Sequence, residues 1–314
     1  MALSFNIKLP NLENYREVFK TNGVNYPLEK VPFKKLGLLA DLPKIKEPKG
    51  WPWSQEYDPC LYSDRINWPK LSIVVPSYNQ AAFLAQTLRA ILLQNYPNLE
   101  LIVIDGGSND GSKEIIEEYS QWISYWKSEK DRGQGHAINL GFSLASGTYY
   151  AWINSDDYYL EGTFCKVMER FLKKNEDFVY GYVTDFIVEK NKFNPVNKIL
   201  PVKDYFLRLP TLAQPACFWK AAIHQPIWEE LHCSLDYELW LRLVKGSKKG
   251  IIKDALAVAN IHGDAKTSDP NMKKKWDEDH QLICSMEAHG NVENWHAIVF
   301  LHRIRLKINK WFNL

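Results

Sequence analysis

The chain has almost no excess of either charge: 39 Lys and Arg stand against 37 Asp and Glu, a formal net charge of +2 over 314 residues. Without a basic excess, binding to nucleic acid through phosphate neutralisation is not the default, and no nucleic-acid partner is expected. Cysteines are few and scattered. The five (Cys60, Cys165, Cys217, Cys233, Cys284) are odd in number and form neither a CxxC pair nor a Cys/His cluster at zinc spacing. They read as free thiols of a reducing compartment, so a cytoplasmic location is expected. No apolar run approaches the roughly 20 residues that span a bilayer. Residues Met1 to Lys8 lack the basic and apolar regions of a secretory signal. Glycine and proline, 16 each, are too few for a collagen-like or low-complexity chain, and 46% hydrophobic residues exclude charge-rich disorder.

Aromatic residues are abundant, at 13% of the chain with 12 Trp. Composition alone leaves core filling, sugar stacking and a membrane interface all open. Prolines recur through residues 1–70 (Pro10, Pro27, Pro32, Pro43, Pro48, Pro52, Pro59, Pro69), where periodic apolar stretches are short. This segment reads as an extended arm packed on the main domain. At Leu71 the pattern changes. Leu71 to Val75 is a β-branched run ending at Pro76, Ala81 to Asn95 has apolar residues at helical spacing, Leu99 to Ile104 is a second strand, and Ser112 to Tyr119 a second helix. A strand near Ile123 to Lys127, a helix over His136 to Ala145 and a strand over Thr148 to Ile153 continue the alternation. Such alternation implies right-handed βαβ units, hence an α/β fold with a mostly parallel sheet. Weaker signals follow: a helix near Thr163 to Lys173, strands near Phe178 to Glu189, and a mixed segment to about Ala265. The expected organisation is an arm over 1–70, a main domain over 71–270 and a C-terminal helical region over 271–314.

Four strands each deliver a polar loop at the C-terminal end: Ser77-Tyr78-Asn79, Asp105-Gly106-Gly107, Asp131-Arg132-Gly133 and Asn154-Ser155-Asp156-Asp157. In an open α/β sheet those ends bind ligands, at the point where strand order reverses. Asp156 and Asp157 suit a hard divalent cation, which takes one or two carboxylates and completes its shell with water and phosphate oxygens. The same pair can equally cap a helix starting near Leu160. At the Asp105 loop, the glycines allow close backbone approach to a ligand while the carboxylate accepts hydrogen bonds from a base or ribose, yet Asp-Gly-Gly is also a good turn. Neither GxGxxG nor a Walker loop is present.

Taken in order, LSIVVPSYNQ, LIVIDGGSNDGS and SEKDRGQGHAINLGFSLASGTYYAWINSDD resemble the nucleotide-binding half of family 2 glycosyltransferases, from Leu71 to about Gly162. The resemblance implies the GT-A fold, a Rossmann-like, mostly parallel sheet flanked by helices. It also implies site roles. Pro76, Ser77, Tyr78 and Asn79, with Asp105 and Gly106, would hold the base and ribose, and Asp131 and Arg132 would help close the nucleotide pocket. A DxD-type stretch would hold Mn²⁺ or Mg²⁺ on the donor's diphosphate. Asn154 departs from that pattern by standing at the first aspartate, so the metal would lean on Asp156, Asn154 and Ser155 would face the donor, and Asp157 would cap the following helix.

In the half expected to serve the acceptor, 163–270, Leu235-Asp236-Tyr237-Glu238-Leu239-Trp240-Leu241-Arg242 resembles the family's ED-type motif at a helix start. Asp236 matches the base that deprotonates the acceptor hydroxyl, with Leu235 in place of the acidic neighbour. A carboxylate there also simply stabilises a helix N-terminus, and Glu238 is placed to pair with Arg242. One base opposite the leaving diphosphate implies inversion at the anomeric carbon. Gln214 and Trp219 lie in a stretch that resembles one near sugar and acceptor, although the Trp219 indole reads more simply as core. The loop Ile261 to Thr267 resembles a late His-containing loop, which implies His262 as a further metal ligand and Lys266 as a neutraliser of the diphosphate. His136 is expected near the nucleotide.

From Trp295 to Leu314, Phe300, Leu301, Ile304, Ile308, Trp311 and Phe312 share one side of a helical wheel, with Arg303, Lys307 and Lys310 on the other, and no acidic residue follows Glu293. A basic amphipathic helix with Trp reads as a membrane-surface anchor, which suits a lipid-linked acceptor and a peripheral place on the inner membrane face. A helix docked on the core or on a second subunit has the same pattern. The expected function is therefore inverting, metal-dependent transfer of a sugar from a nucleotide-diphosphate sugar to a hydroxyl of a saccharide or lipid-linked acceptor, as in polysaccharide biosynthesis. Two competitors stand beside it. A nucleotidyltransferase would need a Gly-rich loop with Arg and Lys where Pro76 to Asn79 stand. A non-catalytic nucleotide-sugar-binding protein is what Asn154 and Leu235 would signal.

Overall fold

The computed structural model describes residues 7–46, 49–263, 265–266, 272–284 and 295–312. Its first half is the expected alternation: β1 (Leu71–Ser77), α2 (Ala81–Leu92), β2 (Leu99–Asp105), α3 (Ser112–Tyr119), β3 (Tyr125–Ser128), α4 (Gln134–Leu144) and β4 (Tyr149–Trp152), preceded in the arm by α1 (Leu12–Thr21). β1 pairs in parallel with β2 on one side and β4 on the other, while β2 pairs in parallel with β3. Strand order thus reverses between β1 and β4. Every residue of β1 and β2 is buried, as expected of parallel strands covered on both faces. Helix α4 lies flat on β1: a Cβ at Gly141 would stand 2.4 Å from Val74 Cγ1.

Pro76 does not end β1, which runs on to Ser77. Pairing with β4 stops at Val74, whose carbonyl accepts from Ile153. The missing N–H of Pro76 therefore points past the end of β4, where no ladder bond is lost.

The second half contributes β5 (Tyr158–Tyr159), α5 (Thr163–Lys174), β6 (Phe178–Ile187), β7 (Lys192–Phe193), β8 (Cys217–Lys220), α6 (Leu235–Leu243) and β9 (Lys249–Ile261). All nine strands described join one sheet in the order β3-β2-β1-β4-β8-β6-β9-β5, with β7 beside β6. β8 runs antiparallel between β4 and β6, and β6 and β9 pair in parallel. The long β9 replaces the mixed segment that the sequence suggests, and it carries the chain to His262 at the same edge of the sheet as Asn154. α7 (Lys273–Cys284) and α8 (Trp295–Phe312) complete the described elements.

The described residues of the arm share one hydrophobic core with the sheet, through Phe19, Leu28, Val31, Leu38, Leu42, Tyr62 and Trp68. Val31 N–H donates to Leu99 O and Tyr57 N–H to Leu93 O. Arg89 of α2 is only 2% exposed and donates to the carbonyls of Pro43, Pro52 and Trp53.

Candidate active site

The loops after β1, β2 and β3 meet at one place. A Cβ at Gly106 would stand 3.1 Å from Asp131 Oδ2 and 3.2 Å from the Tyr78 ring, so the backbone of the second loop lies in close contact with side chains of the other two. Tyr78 is 63% exposed and presents its ring at the mouth. Asn79 adopts a left-handed φ of 52°, which Asn tolerates better than most residues. Its N–H donates to Ser108 Oγ and its Oδ1 accepts from Asn109 N–H. The Asp131 carboxylate accepts from Gly133 N–H at 2.7 Å. Pro76 and Ser77 are buried beneath, and the Ser77 hydroxyl has no hydrogen-bond partner among the described residues.

A second cluster forms where β4 and β9 end. Asp156 Oδ2 lies 3.4 Å from His262 Nε2, long for a hydrogen bond but a spacing that two ligands on one cation readily take. The imidazole is 5% exposed and held against Phe83 of α2, ring centroids 4.4 Å apart. Lys266 Nζ donates to Gln134 Oε1 at 2.7 Å, and Gln134 Nε2 donates to Asn154 Oδ1 at 2.8 Å. Burial lowers the Lys266 pKa, against which the nearby Asp156 charge pulls upward. Among the described residues no three His, Cys, Asp or Glu side chains converge as a metal cage. Two donors, one carboxylate and one imidazole, fit a cation whose other ligands are phosphate oxygens and water.

Asp236 occupies the first turn of α6 beside β8. Leu235, its neighbour, packs on the first turn of α4: a Cβ at Gly135 would stand 3.2 Å from Leu235 Cδ2. That contact explains an apolar residue where the resemblance implies an acid. Trp240, one turn on, stacks on Trp152 at the end of β4 with centroids 5.5 Å apart. These contacts hold Asp236 against the strand ends. Burial raises its carboxyl pKa to about 6, opposed by the backbone N–H groups of Tyr237 and Asp236 itself. A cleft lined by Val202, Leu207, Leu209, Leu212, Tyr237 and Trp240 opens beside it. Gln214 Nε2 donates to Trp152 O at 2.6 Å, and its buried Oε1 has no partner among the described residues. Glu238 pairs with Arg242 at 2.6 Å, as the i,i+4 spacing suggests.

Several expectations need correction. Asp105 is fully buried, and its two oxygens accept from Gly107 N–H, Ser108 N–H, Ser108 Oγ and Ser128 Oγ. Three of these donors fall on Oδ2 and one on Oδ1, so Asp105 shapes the loop and keeps acceptor capacity only on Oδ1. Arg132 turns away from the donor loops, donating to Glu229 Oε2 at 2.6 Å and to Tyr15 Oη of α1 at 2.7 Å. His136 goes with it, edge-on to Tyr15. Ser155 is 3% exposed, its carbonyl taken by Thr87 Oγ1. Asp157 caps no helix: α5 begins later, at Thr163, and the buried Asp157 carboxylate accepts from Asn260 N–H at 3.1 Å. Burial, then the Asp156 charge, raise its pKa well above the ordinary value. Trp219 is 0% exposed; packed with Trp152, Trp240 and His224, it has no face for a sugar. Asp264 and Thr267 of the late loop lie outside the described residues. Gln134, Phe83, Glu229 and Tyr15 complete these clusters without a sequence signal, because each acts through a partner at least 90 residues away.

Known proteins share the fold and the sequence pattern of this chain. An uncharacterized glycosyltransferase of Rickettsia typhi is 26% identical over 215 residues, covering 64% of this chain and 66% of that protein. Of solved structures, residues 1–349 of TarS from S. aureus, in complex with UDP-GlcNAc, superpose with a TM-score of 0.57 at 19% identity, covering 68% of this chain and 65% of that one. The mannosyltransferase PcManGT from Pyrobaculum calidifontis, in complex with GDP-Man and Mn²⁺, superposes with a TM-score of 0.50 at 15% identity, covering 81% and 70%. The chain spans about two thirds of the Rickettsia typhi protein but only about a third of longer uncharacterized glycosyltransferases of Rickettsia conorii and Rickettsia felis, and the solved structures share its GT-A fold. The family model described as glycosyl transferase family 2 matches residues 72–231, and the chain belongs to that family.

Proposed function

We propose that the protein is an inverting glycosyltransferase that takes a nucleotide-diphosphate sugar and passes the sugar to an acceptor hydroxyl, with Asp236 as general base. The observation that carries this reading is the meeting of Asn154, Asp156, His262 and Lys266 at the ends of β4 and β9, with Asp236 on α6, the helix whose Trp240 stacks on Trp152 at the end of β4. Family membership and the donors bound in the TarS and PcManGT structures, UDP-GlcNAc and GDP-Man, support it.

Tyr78, Asp131 and the backbone at Gly106 would receive the nucleotide, and the unpartnered Ser77 hydroxyl is available to it. Asp156 and His262 would hold Mn²⁺ or Mg²⁺, which when bound neutralises charge developing on the leaving diphosphate. Lys266, on the same cluster, adds a positive charge of the protein's own. Across the site, Asp236 accepts the proton of the attacking hydroxyl as the new C–O bond forms. A pKa of about 6 leaves it ionised at neutral pH yet more basic than an exposed aspartate. Attack from the face opposite the diphosphate inverts the anomeric centre. Gln214 Oε1 is an unfilled acceptor for a sugar or acceptor hydroxyl, and the cleft beside Asp236 suits the apolar part of a saccharide or lipid-linked acceptor. Free Cys60, Cys165, Cys217 and Cys233 support a reducing compartment.

Replacing Asp236 tests the assignment. Asp236→Asn is expected to lower transfer by about 10²- to 10⁴-fold, the range of a lost general base, while donor binding stays within twofold or so. Full transfer by this variant would refute the role given to Asp236.

A further inference from the structure

Helix α8 docks on the protein through the wrong side for an ordinary amphipathic helix. Ile298 is 6% exposed, and His302, Arg305 and Asn309, which follow it along one edge, are half-buried. His302 and Arg305 pack on Phe206, at 5.6 Å between rings and 5.3 Å from guanidinium to ring. Arg305 also donates to Pro201 O. The apolar stripe is left in solvent: Phe300 is 63% exposed, Leu301 43%, Ile304 38%, Ile308 46% and Trp311 83%. At 100° per residue these five fall within about a third of a turn. A helix recruited to fill the core would bury this stripe first, since removing apolar surface from water is what drives such docking.

We propose that this stripe docks on an anionic lipid bilayer. Charge complementarity carries the choice of occupant. Arg303 and Lys307 border the stripe, both exposed, and the helix sequence WHAIVFLHRIRLKINKWF contains no acidic residue. A two-fold contact with a second copy would set these cations against each other, whereas anionic headgroups pair with them. An exposed Trp at the end of an apolar stripe also suits the headgroup boundary. The helix lies on the surface and does not cross it, because no helix described is long and apolar enough to span a membrane. Its dock at Pro201 and Phe206 adjoins Val202 and Leu207, which line the cleft beside Asp236. Resting on the proposed transfer activity, this adjacency names the acceptor as one whose lipid stays in the bilayer while its hydroxyl reaches Asp236.

The test is co-sedimentation of the full chain with phosphatidylcholine vesicles, with and without phosphatidylglycerol, at low and high salt. The full chain is expected to pellet with the anionic vesicles and to be released by salt. Phe300→Asp with Trp311→Asp is expected to abolish pelleting, and each of Arg303→Gln and Lys307→Gln to weaken it roughly fivefold. These positions are exposed, and circular dichroism with sedimentation velocity checks that the variants remain folded. No pelleting of the full chain, equal pelleting of the aspartate variant, or a dimer that this variant splits without any vesicle binding would each overturn the proposal. Asp236→Asn is expected to pellet like the unaltered chain, so a failed catalytic assignment and a failed membrane assignment are told apart.

Discussion

Asp236 is a carboxylate whose surroundings set its chemistry. Burial disfavours the charged form and raises its pKa to about 6, while two backbone N–H groups at the helix start hold it lower than burial alone would. A base works only when deprotonated, so the sign follows. As pH falls through about 6, Asp236 takes up a proton and kcat/KM is expected to fall about tenfold per pH unit, with a plateau above that value. A pH–rate profile of the free enzyme checks it; an acid limb near pH 4, the ordinary aspartate range, would point to an exposed group instead. Residue identity in this site was legible because strand-end loops of short polar residues stand out between apolar runs. Residue role was less legible. Asp105 and Trp219 occupy the expected places, but which way a side chain faces depends on donors and rings brought in from other segments, such as Ser128 and Trp240.

At the level of elements, the parallel half could be read because each strand and helix carries its own period. β9 could not. Its first half carries Lys249, Lys253 and Asp254, and its apolar run, Ala255 to Ala259, is rich in alanine, which is depleted in strands and favours helix. The arm is a similar case: proline spacing signals an extended path but not what it grips. α2 supplies the grip through Arg89, whose guanidinium is buried on three arm carbonyls. Arg89→Ala would leave those carbonyls buried without a donor, and is expected to cost about 2–4 kcal/mol in urea unfolding and to make the arm the first site of proteolysis. A loss below about 0.5 kcal/mol would mean that the arm is held by its apolar contacts alone.

Over the whole molecule, the near balance of charge is an average of unlike regions. Acidic and polar groups gather at the strand ends, while α8 carries cations alone. The aromatic excess divides in the same way. Trp152, Trp219 and Trp240 form one packed cluster behind the site, whereas Tyr78 and Trp311 stand in solvent at the donor mouth and on the exposed stripe. The cluster joins the two halves of the domain, since Trp152 ends β4, Trp219 lies in β8 and Trp240 in α6. The strand-end loops and Asp236 are thereby carried on one frame, as the proposed in-line transfer requires.

Calorimetric titration with UDP and GDP, each with Mn²⁺, tests the central claim most directly, because it asks whether the strand-end cluster receives a nucleoside diphosphate and its cation. At least one of the two is expected to bind only when Mn²⁺ is present. Asp156→Asn and His262→Ala are each expected to weaken that binding by at least roughly tenfold, the lower bound for losing even a supporting group of a metal site. Binding of neither nucleotide, or binding untouched by both substitutions, would contradict the account.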